Sequence, residues 1–580
     1  MNNSTRPKRS KLSATIITII VCAALAMGSV AISIFDPSSG FDFIPSGLKP
    51  GEVHYSDMEY VRPDANALTE DIAHLIELIT SEKSFTDQSR LFTSINKDLA
   101  NFRTMASLAE IRYYTDTTDE FYKEENKLLG DEYIGIYDKI CELLDTIADS
   151  KFKNNYERSF FGIGYFKDWE PMDKSDAVTE LLKKEQALIA EYQEELSNPS
   201  FTVDINDIGV LATIDSINQI DPTEILIQKY NERLGGIYVK IVKTRLELAK
   251  ELGTDYISYA YKNLDRDYTP EEANAYMNGI IEHVLPVISN INADDSVLNT
   301  PADTITSFYH LSLAAGKMGD IISGAFDHMS KYGLYEVAVS QNKLGISFEI
   351  FLEKYNSPFM FVSSTGRAND LLTYAHEFGH FVDDYVNFGQ SATVDSAEIS
   401  SQAMAYILPF YSSGMGKISG EDFLKANLYS TFEMYIYSAF VNNFETAVYS
   451  LSPEEVTLEK INELAKKAAL DAGLTEEMAD ILGLSWFEIQ HVYIAPMYYV
   501  SYAISNDVAL QILEAELKKP LEGGVEAFEK LIKKNTDLTL PESIERIGFE
   551  SPFEDGRAEK IAALIGEIFE IEDESLAPAA

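Results

Sequence analysis

The chain has 580 residues, of which 93 are acidic and 47 basic, giving a formal net charge of −46 at pH 7. Phosphate binding needs clustered Lys and Arg, and beyond the N-terminus the basic residues are scattered, so nucleic acid is excluded as an expected partner. Only Cys141 lies outside the apolar N-terminal segment, so no internal disulfide is expected and the fold must rely on its core.

The first predicted element is an uncharged segment at 12–35, preceded by basic residues at positions 6, 8, 9 and 11. It is long enough to span a bilayer, and the basic flank predicts that the rest of the chain is translocated. We predict that residues 1–35 are a signal anchor, with a cleaved signal peptide as the alternative. The protein would then be a single-pass protein of the cell membrane with its body extracellular, or a secreted one. Residues 36–52, rich in Pro, Gly and Ser, are predicted to be a flexible tether.

Residues 53–580 are predicted to form one large, mainly α body. Helical periodicity is strongest at 177–196, 223–252 and 453–472. Thr269 and Ser452 each precede a Pro and have Glu three residues later, which predicts two helix N-caps. The predicted strands are few and short: 201–203, 335–339, 345–348 and 359–363.

Within the predicted active-site helices, at about 368–410, the chain reads His376-Glu377-Phe-Gly-His380. Histidines four residues apart lie on one face of a helix and can share a zinc ion. Glu377 points to a different azimuth, so we predict that it acts as the general base that takes a proton from a zinc-bound water rather than as a ligand. The apolar residues around the motif argue against a solvated helix that carries it by chance.

A catalytic zinc ion usually has three protein ligands and one open position, so a third ligand is expected downstream. The best candidate is Glu398, eighteen residues after His380, on a second predicted helix. Asp383 and Asp384 are the rivals. Of these, Asp384 lies four residues after His380. It is suited instead to orienting the imidazole of a ligand histidine without binding the metal itself.

A segment at about 486–504 contains His491 and a cluster of four tyrosines: Tyr493, Tyr498, Tyr499 and Tyr502. Tyrosine O–H and histidine N–H groups can stabilise the oxyanion formed during amide hydrolysis. Tyrosines at helical spacing are as readily explained by core packing, and the residues alone leave both interpretations open.

Together these segments resemble the M3 metallopeptidases, in particular oligoendopeptidase F and thimet oligopeptidase. The resemblance rests on four segments in family-like order: Ser357-Pro-Phe-Met-Phe-Val-Ser-Ser-Thr-Gly366, His-Glu-Phe-Gly-His at 376–380, Ala-Glu-Ile-Ser-Ser around Glu398, and Pro496-Met-Tyr-Tyr-Val-Ser-Tyr502. Weaker similarity, such as Arg266-Asp-Tyr-Thr-Pro, extends it to most of the chain. The chain departs from the family at Asp383, where relatives usually have a further His, and in its tyrosine spacing.

The resemblance implies one Zn2+ per chain, held by His376, His380 and Glu398, with Glu377 as base. It further implies that His491, Tyr498 and Tyr502 contact the substrate or the oxyanion. The expected fold has two helical lobes around a deep central channel, with a small β-sheet beside the zinc site. An edge strand at 359–363 would pair with an extended peptide.

The implied activity is zinc-dependent endopeptidase cleavage of internal bonds in short oligopeptides. Two alternatives stay open: a catalytically silent peptide-binding module that keeps the fold, and a zinc peptidase of thermolysin type. A complete set of ligands and a base argue against the first alternative. The Ala-Glu-Ile-Ser-Ser context of Glu398 and the tyrosine cluster argue against the second.

Overall fold

The computed structural model describes residues 49–167, 169, 175–197, 222–264, 266–291, 295–389, 393–412, 418–533 and 538–570. The predicted signal anchor, most of the tether and the predicted strand at 201–203 lie outside these residues. Within the described ranges, no helix combines the length and the apolar character needed to cross a bilayer.

Helices dominate the described chain, which confirms the predicted mainly α fold. Among the described residues, the first nine α-helices are α1 (Ala65–Thr80), α2 (Phe85–Thr115), α3 (Glu120–Asp149), α4 (Lys153–Tyr156), α5 (Asp176–Ser197), α6 (Pro222–Glu251), α7 (Tyr256–Asn263), α8 (Pro270–Gly279) and α9 (Leu285–Ile288). They are followed by α10 (Thr304–Ala315), α11 (Gly319–Tyr332), and then by α12 (Asp370–Asn387) and α13 (Val394–Ser412). The remaining helices of the described chain are α14 (Gly420–Tyr449), α15 (Leu458–Asp471), α16 (Glu476–Ser485), α17 (His491–Ile494), α18 (Val500–Lys518), α19 (Gly523–Leu531), α20 (Leu540–Arg546) and α21 (Arg557–Ile568).

The buried apolar side chains of the described residues form two clusters that meet at α2. The smaller cluster lies between α1, α2 and α3, where α1 buries Leu68, Ile72, Leu75 and Ile79 at helical spacing. The larger cluster runs through the rest of the body and encloses the helices that carry the predicted site.

One predicted N-cap is correct and the other is wrong. Thr269 forms a complete capping box with Glu272 at the start of α8. Ser452 also bonds Glu455, but these residues form a turn, and α15 begins later, after the N-cap Thr457. The turn carries Val456 into the core before the helix starts, which is a tertiary requirement that the local sequence does not reveal.

In the described part of the chain, three short strands form one sheet in the order β1-β3-β2: β1 (Tyr335–Glu336), β2 (Phe348–Leu352) and β3 (Ser357–Phe361). The sheet packs against α12, as predicted for a sheet beside the site. The prediction that the strand near 359–363 lies at an edge is wrong. Met360 pairs with Tyr335 on one side and with Glu349 on the other, so β3 is central and its backbone is already bonded on both sides.

Candidate active site

The helices α12 and α13 pack against each other at Gly379, inside the His-Glu-Phe-Gly-His motif. A Cβ added at Gly379 would lie 2.5 Å from the carbonyl oxygen of Ser400 and 2.6 Å from the Cα of Ser401. Only a residue without a side chain allows two backbones to approach this closely. The close packing places Glu398 of α13 beside the two histidines of α12.

The three residues predicted as metal ligands meet at this contact. Glu398 Oε2 lies 3.7 Å from His376 Nε2 and 4.0 Å from His380 Nε2, and one ligand atom from each residue lies within 4.8 Å of the others. Zinc bonds of about 2.0–2.2 Å at tetrahedral angles separate ligand atoms by roughly 3.4 Å, so small side-chain adjustments would suffice. Two imidazoles and one carboxylate are a donor set that suits zinc.

The surroundings keep the imidazole of His376 neutral, although 32% of its side chain is exposed. Burial, and secondarily the neighbouring His380, lowers the pKa of His376 well below its usual range. A neutral imidazole retains the lone pair that a metal requires.

Glu398 is held by hydrogen bonds to both of its oxygens. Tyr498 Oη donates to Oε1 at 3.0 Å, and Ser401 Oγ donates to Oε2 at 3.2 Å. Burial raises the pKa of Glu398 to about 7, and these two donors oppose that effect. They orient the carboxylate towards the histidines.

Glu377 is also buried, with 4% of its surface exposed. Burial, and then the charge of Glu398, raises the pKa of Glu377 well above its usual range. A carboxylate with a raised pKa is a stronger base, as proton abstraction from water requires.

The rival ligand Asp383 has other partners. Its carboxylate accepts hydrogen bonds from Asn387 Nδ2 at 2.6 Å and from Ser400 Oγ at 2.7 Å, which ties α12 to α13. Among the described residues, the group of potential ligands at this site consists of His376, His380 and Glu398.

The other rival, Asp384, lies beside Glu349 of β2, a residue that was not predicted from the sequence. Burial, and then the charge of Asp384, raises the pKa of Glu349 well above its usual range. The clue in the sequence was an acidic residue inside an otherwise apolar strand, Phe348–Leu352.

The tyrosines of the cluster contact different partners. Tyr498 contacts Glu398, whereas the Tyr502 hydroxyl lies 3.4 Å from His491 Nε2. Burial lowers the pKa of His491 to about 3 and raises those of Tyr498 and Tyr502 well above their usual range, so the imidazole is neutral and both phenols stay protonated. The rings of Tyr499 and His491 pack edge to face, with the two centroids 5.0 Å apart.

Comparison with known proteins identifies the fold. The family model for the M3 peptidase N-terminal domain matches residues 55–175 of this chain. PZ peptidase A, solved with an inhibitor, is 19% identical with a TM-score of 0.72, over 89% of this chain and 99% of that one. An oligoendopeptidase F candidate from Bacillus anthracis strain Ames is 20% identical with a TM-score of 0.70, over 90% and 99% of the two chains.

A more distant structure is the M32 carboxypeptidase from Deinococcus radiodurans, which is 14% identical with a TM-score of 0.55, over 82% of this chain and 98% of that one. No curated protein sequence matches the chain. The resemblance to M3 peptidases is confirmed, and the chain has the fold of these solved peptidases.

Proposed function

We propose that this protein is a zinc-dependent endopeptidase that hydrolyses internal bonds of short oligopeptides. The observation that carries the proposal is the meeting of His376, His380 and Glu398 beside the buried carboxyl of Glu377. The peptidase fold supports the same reaction class.

The two histidines and Glu398 would hold one Zn2+, which when bound acidifies a water molecule and polarises the carbonyl of the scissile bond. Glu377 accepts the proton of the attacking water and later delivers it to the leaving nitrogen, so one residue serves as base and then as acid. Tyr498 and Ser401 keep the Glu398 carboxylate in place during both steps.

The oxyanion of the tetrahedral intermediate needs hydrogen-bond donors in a site that excludes water. Tyr502 and His491 are suited to this role, because both are neutral and close together. In this proposal, the phenol of Tyr502 donates to the oxyanion and His491 fixes the direction of that phenol.

Short peptides are proposed as substrates because the M3 resemblance implies two lobes around a deep channel, which would exclude folded proteins. A silent peptide-binding module would have no use for Glu377, and the M3-type fold disfavours a thermolysin-type enzyme. We further propose that residues 1–35 anchor the enzyme in the cell membrane with its body outside, or that their cleavage releases it.

The test is cleavage of quenched fluorescent peptides of graded length by the full-length protein, with and without a zinc chelator. Internal cleavage of short peptides is expected, with loss on chelation and recovery when zinc is added back. A folded protein substrate should stay intact. Binding of peptide without cleavage in the zinc-loaded protein would instead support the silent binding module.

A further inference from the structure

The turn that presents Tyr498 and Tyr502 is held by an arginine from a distant part of the chain. Arg266 lies between α7 and α8, and its Nη2 donates to the carbonyl of Met497 at 2.8 Å and to Ser501 Oγ at 2.7 Å. The carbonyl of Tyr498 lies 3.4 Å from the same nitrogen. One guanidinium thus contacts the turn on both sides of Tyr498.

The turn needs such support because its backbone is unusual. Met497 has a φ of 64°, a left-handed conformation that is uncommon for a residue other than glycine. Its N–H donates to Glu445 Oε2 at 2.9 Å, and its carbonyl accepts from Arg266. These two buried side chains therefore satisfy both polar groups of the Met497 backbone, which would otherwise be costly to bury.

The same arginine is connected to the helix that carries Glu398. Its guanidinium carbon lies 4.5 Å from the ring centroid of Tyr261 and 5.3 Å from that of Tyr268. Tyr268 donates its hydroxyl to Asp395 Oδ1 at 3.0 Å, one helical turn before Glu398. Nε and Nη1 of Arg266 have no hydrogen-bond partner among the described residues, so the tyrosine rings form much of their environment.

We propose that Arg266 is a positioning residue of the active site. It fixes the turn so that the Tyr498 hydroxyl meets Glu398 and the Tyr502 hydroxyl meets His491. This inference rests on the proposed function for its kinetic consequences. A lysine retains the charge but lacks the planar fork and the ring stacking, so it cannot reproduce the contacts.

The test compares Arg266→Lys with wild type and with Tyr502→Phe, alone and combined. Arg266→Lys should lower kcat about 10- to 100-fold, because losing one oxyanion donor costs about 100-fold or more, and should change KM little. The double variant should be no slower than the slower single variant, because both changes remove the same donor. Zinc affinity, measured by chelator competition, should fall a few-fold through the loosened contact between Tyr498 and Glu398.

The matched control is Arg557→Lys. Arg557 is also buried and pairs with Asp507, further along α18. This variant should lower Tm while kcat and zinc affinity stay at wild-type values. An Arg266→Lys enzyme with wild-type kcat, or losses that multiply in the double variant, would overturn the inference.

If Arg266→Lys does not fold, Ser501→Ala is the second test. It removes only the hydroxyl that accepts the hydrogen bond from Arg266 Nη2 at 2.7 Å. A smaller loss of kcat that is absent in the Tyr502→Phe background would support the inference, and an unchanged kcat would overturn it. A wild type that cleaves no peptide would refute the proposed function alone. The zinc affinities of Arg266→Lys and wild type would then test the role of Arg266. A lower affinity in Arg266→Lys would support the inference, and equal affinities would overturn it.

Discussion

The two buried glutamates beside the histidines differ in what holds them. Glu398 receives hydrogen bonds from Tyr498 and Ser401, which hold its carboxylate towards the histidines. Glu377 lies on the histidine helix, with its pKa raised by burial and by the charge of Glu398. The difference predicts separate effects when each carboxylate is removed.

Glu377→Gln should retain zinc and lose at least about 100-fold in kcat, because the amide cannot accept the water proton. The measurement is kcat together with zinc content by atomic absorption. Glu398→Ala is the comparison, and it should lose both zinc and turnover. A glutamine variant with near wild-type kcat would remove Glu377 from the role of base.

The different partners of Tyr498 and Tyr502 predict that one variant affects zinc affinity and the other affects kcat. Tyr498→Phe removes the donor to Glu398 and should weaken zinc binding about tenfold or more. Tyr502→Phe should keep zinc affinity and lower kcat about 100-fold. Tyr499→Phe is the matched control, since Tyr499 contacts His491 through its ring, and it should change neither property by more than a few-fold. The same loss from all three variants would indicate a general packing role.

At the scale of elements, the contact between α12 and α13 depends on Gly379. Gly379→Ala should destabilise the protein by about 1–3 kcal/mol and weaken zinc binding, because the added methyl would push Ser400 and Ser401 away with Glu398. Gly324→Ala on α11 is the control. Nothing lies within 4 Å of its added Cβ, so this variant should be stabilised by up to about 1 kcal/mol. Thermal unfolding and chelator competition measure both effects.

The packing of α14 against the tyrosine turn predicts a pH dependence of stability. Burial raises the pKa of Glu445 to about 8, against an ordinary value of 4.5. Between these two pH values the unfolded chain ionises while the native protein keeps its proton, so this residue makes the free energy of unfolding fall as pH rises. Glu445→Gln cannot ionise. The Tm of Glu445→Gln minus the Tm of wild type should therefore increase from pH 5 to pH 8. A difference that does not vary with pH would contradict the raised pKa of Glu445.

At the scale of the whole molecule, bound zinc should stabilise the fold by joining α12 to α13. A ligand that binds only the native state, at a free concentration one hundred times its Kd, adds about 3 kcal/mol to the free energy of unfolding. For a body of this size, that raises Tm by roughly one to three degrees. Glu377→Gln should show the same shift, and Glu398→Ala should show none. A zinc-dependent shift in Glu398→Ala would place the metal elsewhere.

Much of the fold and of the candidate site was predictable because the sequence signals for it are local. Periodicity identified the helices near 177–196 and 223–252, and the spacing from His376 to His380 fixed two imidazoles on one helical face. The strand near 359–363 was found, yet its place at the centre of the sheet was not, because strand order depends on partners far along the chain. Ser452 failed as an N-cap for a similar reason.

The sequence by itself determined the mainly helical fold, the His-Glu-Phe-Gly-His motif that predicts a zinc site, and the acidic residues from which a third ligand would come. Only the tertiary structure decided that Glu398 rather than Asp383 faces the histidines, that Tyr498 and Tyr502 have different partners, and that Arg266 and Glu445 hold their turn. The physical reason is range. Helix periodicity and motif spacing are set by bonds between near neighbours, whereas ligand geometry and buried hydrogen bonds depend on which distant segments the core brings into contact.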